Sequence, residues 1–255
     1  MVPCPWFPEV AEYAKSHPEV DLGLHLTVTS ERRSCRWGPV SSKDRVKSLL
    51  DQAGYFHLTW TQNTPVNLEE VEYELRAQVE KALAVGMRPT HIDSHQLALY
   101  SNGQDLFELL GRLGHEYELP VLVSRNWFSR WPYLIRSESS KDIVIDHVID
   151  IGENVAAEQW SAFYNSAIEN LQPGITQLIV HLGYDNEELR GFSNDRESWG
   201  SAWRQRDFDF FTSPGFRELL QTCDVKLITW RELGRVAHLT GRGTHSSGAL
   251  RAVGD

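Results

Sequence analysis

Residues Arg88 to Gln96 read RPTHIDSHQ, and no other stretch of the 255-residue chain constrains its fold so tightly. His91, Asp93 and His95 recur at every second position, so on a β-strand all three share one face. Two imidazoles and a carboxylate in a row are costly to bury unless something pairs with them. A divalent ion would do so, because neutral imidazole nitrogens and carboxylate oxygens are its usual ligands. A polar edge strand, or histidines hydrogen-bonded within a core, is the structural alternative. The clearest helix of the chain runs directly into this stretch. Asn67 with Glu70 has the shape of a capping box, and Leu68, Val71, Leu75, Val79, Ala82 and Leu83 form its apolar stripe. Glu72 and Arg76 make an i,i+4 pair, and Gly86 supplies the stop.

The same alternation extends along the chain. Pro8 to Ser16 reads as a short helix and Val20 to Val28 as a strand. In that strand Leu22, Leu24 and Leu26 share one face, while Asp21, Gly23, His25 and Thr27 share the other. Ser30 to Pro39 reads as a loop and Lys43 to Gln52 as a brief helix. Further helices are expected at Gln104–Glu116, Ala156–Leu171, Phe216–Gln221 and Arg231–Leu239. Strands are expected at Pro120–Ser124, Ile143–Ile149, Ile175–His181 and Val225–Thr229. The nearly all-apolar ITQLIVH run suits a parallel strand covered on both faces. Strand–helix alternation implies right-handed βαβ units, hence a doubly wound sheet or a (β/α) barrel. Thr240 to Asp255 is rich in Gly and Ser and reads as a disordered tail, so His245 is discounted as a ligand.

A net charge of -10 with no basic stripe argues against nucleic acid and anionic membranes as partners. No apolar run is long enough to span a bilayer. Cys4, Cys35 and Cys223 are odd in number and widely spaced, which fits a reducing, cytoplasmic setting and no disulfide framework. The opening MVPCPWFPEV carries neither the basic nor the apolar region of a signal peptide.

Active sites of parallel α/β folds gather at the C-terminal ends of the strands. Three expected strands carry histidine there: His25 in GLHLT, His95 in THIDSH and His181 in IVHLGYD. Their convergence on one rim would make a metal-assisted hydrolytic site. His57, His115, His147 and His238 lack such company and read as structural or surface residues. Aromatic residues crowd two segments: Trp127, Phe128, Trp131 and Tyr133, then Phe192, Trp199, Trp203, Phe208, Phe210 and Phe211. Most must pack the loops down, leaving one or two to face the apolar side of a sugar ring.

GLHLT, PTHIDSHQ and VHLGYDNEE, in this order, resemble the motifs of the YdjC/ChbG-like carbohydrate deacetylase family. WRQRDFDFFTSPGFRELL and LITWREL strengthen the likeness, which covers nearly all of Met1 to Leu239. The resemblance implies a (β/α) barrel of the TIM type over residues 1–239. It also implies hydrolysis of an N-acetyl group on an amino sugar or oligosaccharide with one divalent ion, magnesium or zinc. By motif position His25 and His95 match the metal-binding histidines. Asp93 matches the neighbouring carboxylate, which would orient a ligand imidazole. His181 matches the late histidine, which would donate a proton or stabilise the tetrahedral oxyanion.

Two departures qualify the likeness. Family members open with a strand ending in an A-D-D-F-G-type motif, whose aspartates supply a third ligand and the general base. This sequence contains no such motif, so the expected barrel is N-terminally incomplete, its exposed strand edges favour self-association, and activity is expected to be low. Leu97 and Leu99 also stand where histidines often follow the H-x-D-x-H motif. The alternatives are another barrel metallohydrolase, an amidohydrolase or phosphoesterase, and a non-catalytic sugar-binding barrel.

Overall fold

In the computed structural model, which describes residues 1–61, 63–139 and 142–242, short parallel strands alternate with helices. In chain order, α1 spans Phe7–Ser16, β1 Leu24–Leu26, α2 Leu68–Ala84, β2 Ile92–Ser94, α3 Ala98–Ser101, α4 Gln104–Glu116 and β3 Val123–Ser124. There follow β4 at Val144–Ile145, β5 at His147–Asp150, α5 at Trp160–Glu169, β6 at Thr176–Ile179, α6 at Glu187–Phe192, α7 at Ser201–Phe211, α8 at Pro214–Thr222 and α9 at Trp230–Arg242. β1 pairs with β2, β3 with β4 and β5 with β6, all parallel. A parallel bridge from Ile92 to Val121 links the first pair to the segment entering β3, and Asp146 alone separates β4 from β5. Neighbours in space therefore follow chain order, which is how successive βα units build a wall.

The α/β class and parallel pairing match the sequence, but the strands of the described residues do not close into a barrel. Closure needs every strand edge to find a partner. Val225–Thr229, expected as a strand, is coil, with Leu227 76% and Ile228 50% exposed. The strand expected over Val20–Val28 shrinks to Leu24–Leu26, and the one over Ile175–His181 shrinks to Thr176–Ile179. All four residues of that strand are only partly buried, so it lacks the cover on both faces that its apolar run implied.

α2 explains how the first pair is held. Its cap forms as expected, with Asn67 Oδ1 accepting the backbone N–H groups of Glu69 (2.8 Å) and Glu70 (3.3 Å). The Glu70 carboxylate does not reach back; it accepts the Ser48 N–H at 2.7 Å instead. We expect Asn67→Ala to cost about 1 kcal/mol, the usual worth of such a cap, in a urea unfolding titration. Val71, Leu75, Val79 and Ala82 are buried, whereas Leu68 and Leu83 at the ends are exposed. Each buried Val or Leu contributes about 1.5–3 kcal/mol. Their face also buries two polar residues that apolar periodicity does not flag, Glu74 and Gln78. Gln78 accepts the Thr27 N–H (3.0 Å) and donates to the Thr27 carbonyl (2.7 Å), so it stands in for a strand where β1 ends. Glu74 accepts from Gln78 (2.8 Å) and from the Val40 and Ser41 N–H groups (3.0 and 2.9 Å), pinning the next loop.

The far end of the chain returns to the start. Thr229 and Glu232 form a reciprocal capping box at α9, and Asp21 accepts the Trp230 and Arg231 N–H groups at 2.7 and 3.1 Å. α9 runs to Arg242, so residues 240–242 belong to it and not to a tail, while 243–255, with His245, lie outside the described residues. The cysteines are unpaired, and among the described residues no helix is long and apolar enough to cross a membrane.

Candidate active site

His25, Asp93, His95 and His181 line one cavity of about 1180 Å³. His25 gets there by alternation: Leu24 and Leu26 are buried on one face of β1, and His25 points from the other. His95 follows β2 directly, where Gln96 and Leu97 both take left-handed backbone angles, each with φ 53°. Such angles cost about 1–2 kcal/mol per residue without glycine. The reversal turns the chain from strand into α3 at His95, and Ser94 Oγ accepts the Leu99 N–H at 3.0 Å to seat the helix. Leu97 lines the cavity and Leu99 is fully buried. His91 does not join the site. Its ring stacks on Trp230 at 4.7 Å and passes so close to Gly23 that a Cβ there would lie 2.4 Å from it. Only Asp93 and His95 of the alternating motif therefore reach the cavity wall.

Those side chains form a chain of contacts running from Asp93 to Glu31. Asp93 Oδ1 lies 2.7 Å from His25 Nδ1, His25 Nε2 lies 3.2 Å from His95 Nδ1, and His95 Nε2 lies 2.8 Å from Glu31 Oε2. Burial pushes the Asp93 carboxyl up, but the charge and hydrogen bond of His25 outweigh it and hold it below the usual range. Burial likewise opposes ionisation of Glu31, yet the hydrogen bond and charge of His95, helped by Arg32, bring it down to about 2. Burial keeps His95 neutral, lowering its pKa against the pull of Glu31. An ionised carboxylate only accepts. Asp93 therefore requires the proton on His25 Nδ1, and Glu31 requires it on His95 Nε2. The two remaining nitrogens, His25 Nε2 and His95 Nδ1, then face each other as bare lone pairs. Their 3.2 Å separation can be spanned by two metal–nitrogen bonds of about 2.0–2.1 Å, so these are the atoms fit to hold a cation. Among the described residues no group of three His, Cys, Asp or Glu side chains is placed to hold a metal ion.

Sequence reasoning missed Glu31, because it sits in an irregular loop six residues past His25 with no periodicity to mark it. The loop is placed from a distance. Gln78 holds Thr27, Trp37 Nε1 donates to the Thr29 carbonyl at 2.9 Å, and the fully buried Arg32 donates to Asp195 (3.3 Å) and the Trp199 carbonyl (2.8 Å). The loop after β1 is thus tied to the segment before α7.

His181 lies two residues past β6, and its backbone N–H donates to Asp207 Oδ2 at 2.9 Å. Burial, then the charge of Arg204, lowers its pKa to about 4, so it is neutral at pH 7. Arg204 also lines the cavity, its Nε held by the Trp199 carbonyl at 3.0 Å. The segment from Tyr184 to Thr212 does reach this rim, carrying α6 and α7 within it. Of its aromatics, Tyr184, Phe192 and Trp199 line the cavity, while Trp203 is buried against Trp160 at 4.6 Å. Trp127 and Trp131 pack around Tyr100 instead. His115 pairs with Asp142 (2.7 Å), His147 opens β5, and the His238 side chain lies outside those described.

The family model for YdjC-like protein matches residues 1–222. A protein of Geobacillus stearothermophilus named carbohydrate deacetylase is 31% identical over 233 residues, covering 91% of this chain and 84% of the relative. One of the same name from Enterococcus faecalis is 37% identical over 121 residues, covering 46% of this chain and 43% of the relative. A solved structure from Enterococcus faecalis, described as a cellobiose-phosphate cleavage protein, is similar with a TM-score of 0.74 at 24% identity, over 91% of this chain and 85% of that one. This last likeness concerns the fold.

Proposed function

The chain belongs to the YdjC-like protein family, and on that premise we propose that it hydrolyses the N-acetyl group of an amino sugar or N-acetylated oligosaccharide. The reading includes one divalent ion, magnesium or zinc, held by His25 Nε2 and His95 Nδ1, and a barrel-type wall of βα units over residues 1–239. The relatives named carbohydrate deacetylase support the reaction class. The observation that carries the site is the pair of imidazole nitrogens facing each other at 3.2 Å, each ring backed by its own carboxylate, on the cavity that His181 also lines.

When bound there, a divalent ion supplies the Lewis acidity that polarises an acetyl carbonyl and acidifies water. Asp93 holds the proton on His25 Nδ1 and keeps that ring in one orientation. His181, neutral at pH 7, donates its N–H in a hydrogen bond to the acetyl oxygen as charge develops there. Trp199 and the exposed Tyr184 on the cavity wall are placed to meet the apolar side of a sugar ring.

The test is acetate release from N-acetylated chitooligosaccharide with saturating magnesium or zinc. Because the sequence carries no A-D-D-F-G-type motif, we expect slow release, which a chelator stops and added metal restores. Sugar binding without turnover would instead support the non-catalytic barrel, and cleavage of other amides or phosphoesters without acetate would support a different metallohydrolase.

A further inference from the structure

We propose that Glu31 is a positioning residue which locks the His95 tautomer and so keeps both cation-binding nitrogens bare. The inference rests on the proposed role of His25 and His95 but concerns a different residue, one in a loop of irregular structure. Its basis is the count of protons along the chain from Asp93 to Glu31.

Consider the two rings without Glu31. Asp93 still holds the proton of His25 on Nδ1, leaving Nε2 as an acceptor. His95 Nδ1 lies 3.2 Å away, so the most favourable arrangement puts the His95 proton on Nδ1 and donates it to His25 Nε2. The rings would then hydrogen-bond to each other and use up both lone pairs. Glu31 Oε2, 2.8 Å from His95 Nε2, prevents this by demanding the proton at the opposite end of the ring. The two side chains are each 11% exposed, so water competes little for that proton. Asp93 on His25 and Glu31 on His95 thus act as mirror images: each carboxylate takes the N–H of one ring, and the nitrogens left over face one another. Such outer partners fix ring orientation and tautomer in histidine metal sites generally.

The test uses the full chain, with wild type, Glu31→Gln and Glu31→Ala compared in two measurements. Nitrogen-15 NMR of metal-free protein reads the His95 tautomer, and calorimetric titration with zinc alone reads affinity. Wild type should show His95 protonated at Nε2. Glu31→Ala should move the proton to Nδ1 and lower zinc affinity about 10–100-fold, the usual cost of losing such a partner. Glu31→Gln keeps the shape and one acceptor oxygen, and should fall between the two. A purely structural role would leave the tautomer unmoved in the folded variants. A bare Nε2 on wild-type His95 would overturn the proposal, as would an unchanged tautomer in both variants. If wild type binds no zinc, the reading of His25 and His95 as cation ligands fails, while the tautomer measurement still decides the part played by Glu31.

Discussion

Alanine in place of His181 should lower the rate of acetate release about 10²–10³-fold, the range for a lost hydrogen-bond donor to an oxyanion. His181 lines the cavity with His25 and His95 but takes no part in their hydrogen-bond chain, so its loss should leave zinc affinity near wild type. Its pH dependence follows from its setting. Burial, then Arg204, lowers its pKa to about 4, so any inflection of the rate profile that belongs to His181 should sit near pH 4. Arg204→Gln should move that inflection upward, yet not to the free-histidine value near 6.5, because burial persists. Stability has the same origin. Between about pH 6.5 and 4 the unfolded chain binds a proton that the folded one refuses, so this group makes stability fall with falling pH across that window. The total is about 3 kcal/mol. Rate profiles of the two variants check the first claim, and urea titrations at several pH values check the second. A loss below tenfold in His181→Ala would remove His181 from the chemistry.

Asp207→Ala should be among the most destabilising single changes in the chain. The carboxylate is fully buried on α7 and accepts from Trp160 Nε1 (2.9 Å), the Tyr164 hydroxyl (2.8 Å) and the His181 N–H (2.9 Å). Burial, then Asp207 itself, raises the Tyr164 pKa, so that hydroxyl stays a donor. Each buried donor stranded without a partner costs about 1–3 kcal/mol. Asp207→Asn should cost less, since its amide oxygen can still accept. The same carboxylate fixes the backbone at His181, so deacetylase activity should fall in parallel. The losses from Asp207→Asn and His181→Ala should then combine to less than their sum. Unfolding titrations that place Asp207→Ala within 1 kcal/mol of wild type would contradict this account.

Asp207 and Glu31 mark where sequence reading stops. Both lie in local text with nothing to distinguish them from surface carboxylates, and both are partnered by residues far along the chain. His25, Asp93, His95 and His181 were legible because strand alternation and strand ends are local properties of the backbone. The same rule misled at His91, which has the right parity but sits lower in the wall, where Gly23 lets its ring pack against Trp230. Alternation sets the face a side chain points from, but not its depth.

The sequence by itself determined the α/β class, the alternation of strands and helices as far as β6, the cap and stop of α2, and the histidines that meet at the cavity. Those follow from interactions within a few residues: hydrogen bonds from a cap, and period-two and period-3.6 burial. Only the tertiary structure decided the length of each strand, because ladder hydrogen bonds exist only where a neighbour arrives in register. For the same reason Val225–Thr229, which is as apolar as a strand, remains coil. Tertiary structure also decided which polar residues are buried. Gln78, Glu74 and Arg32 repay their desolvation with partners 51, 34 and 163 residues away. In doing so they set the loop that brings Glu31 against His95. Local periodicity carries no record of contacts at such separations, and that is why the histidines were in plain view and their carboxylate partner was not.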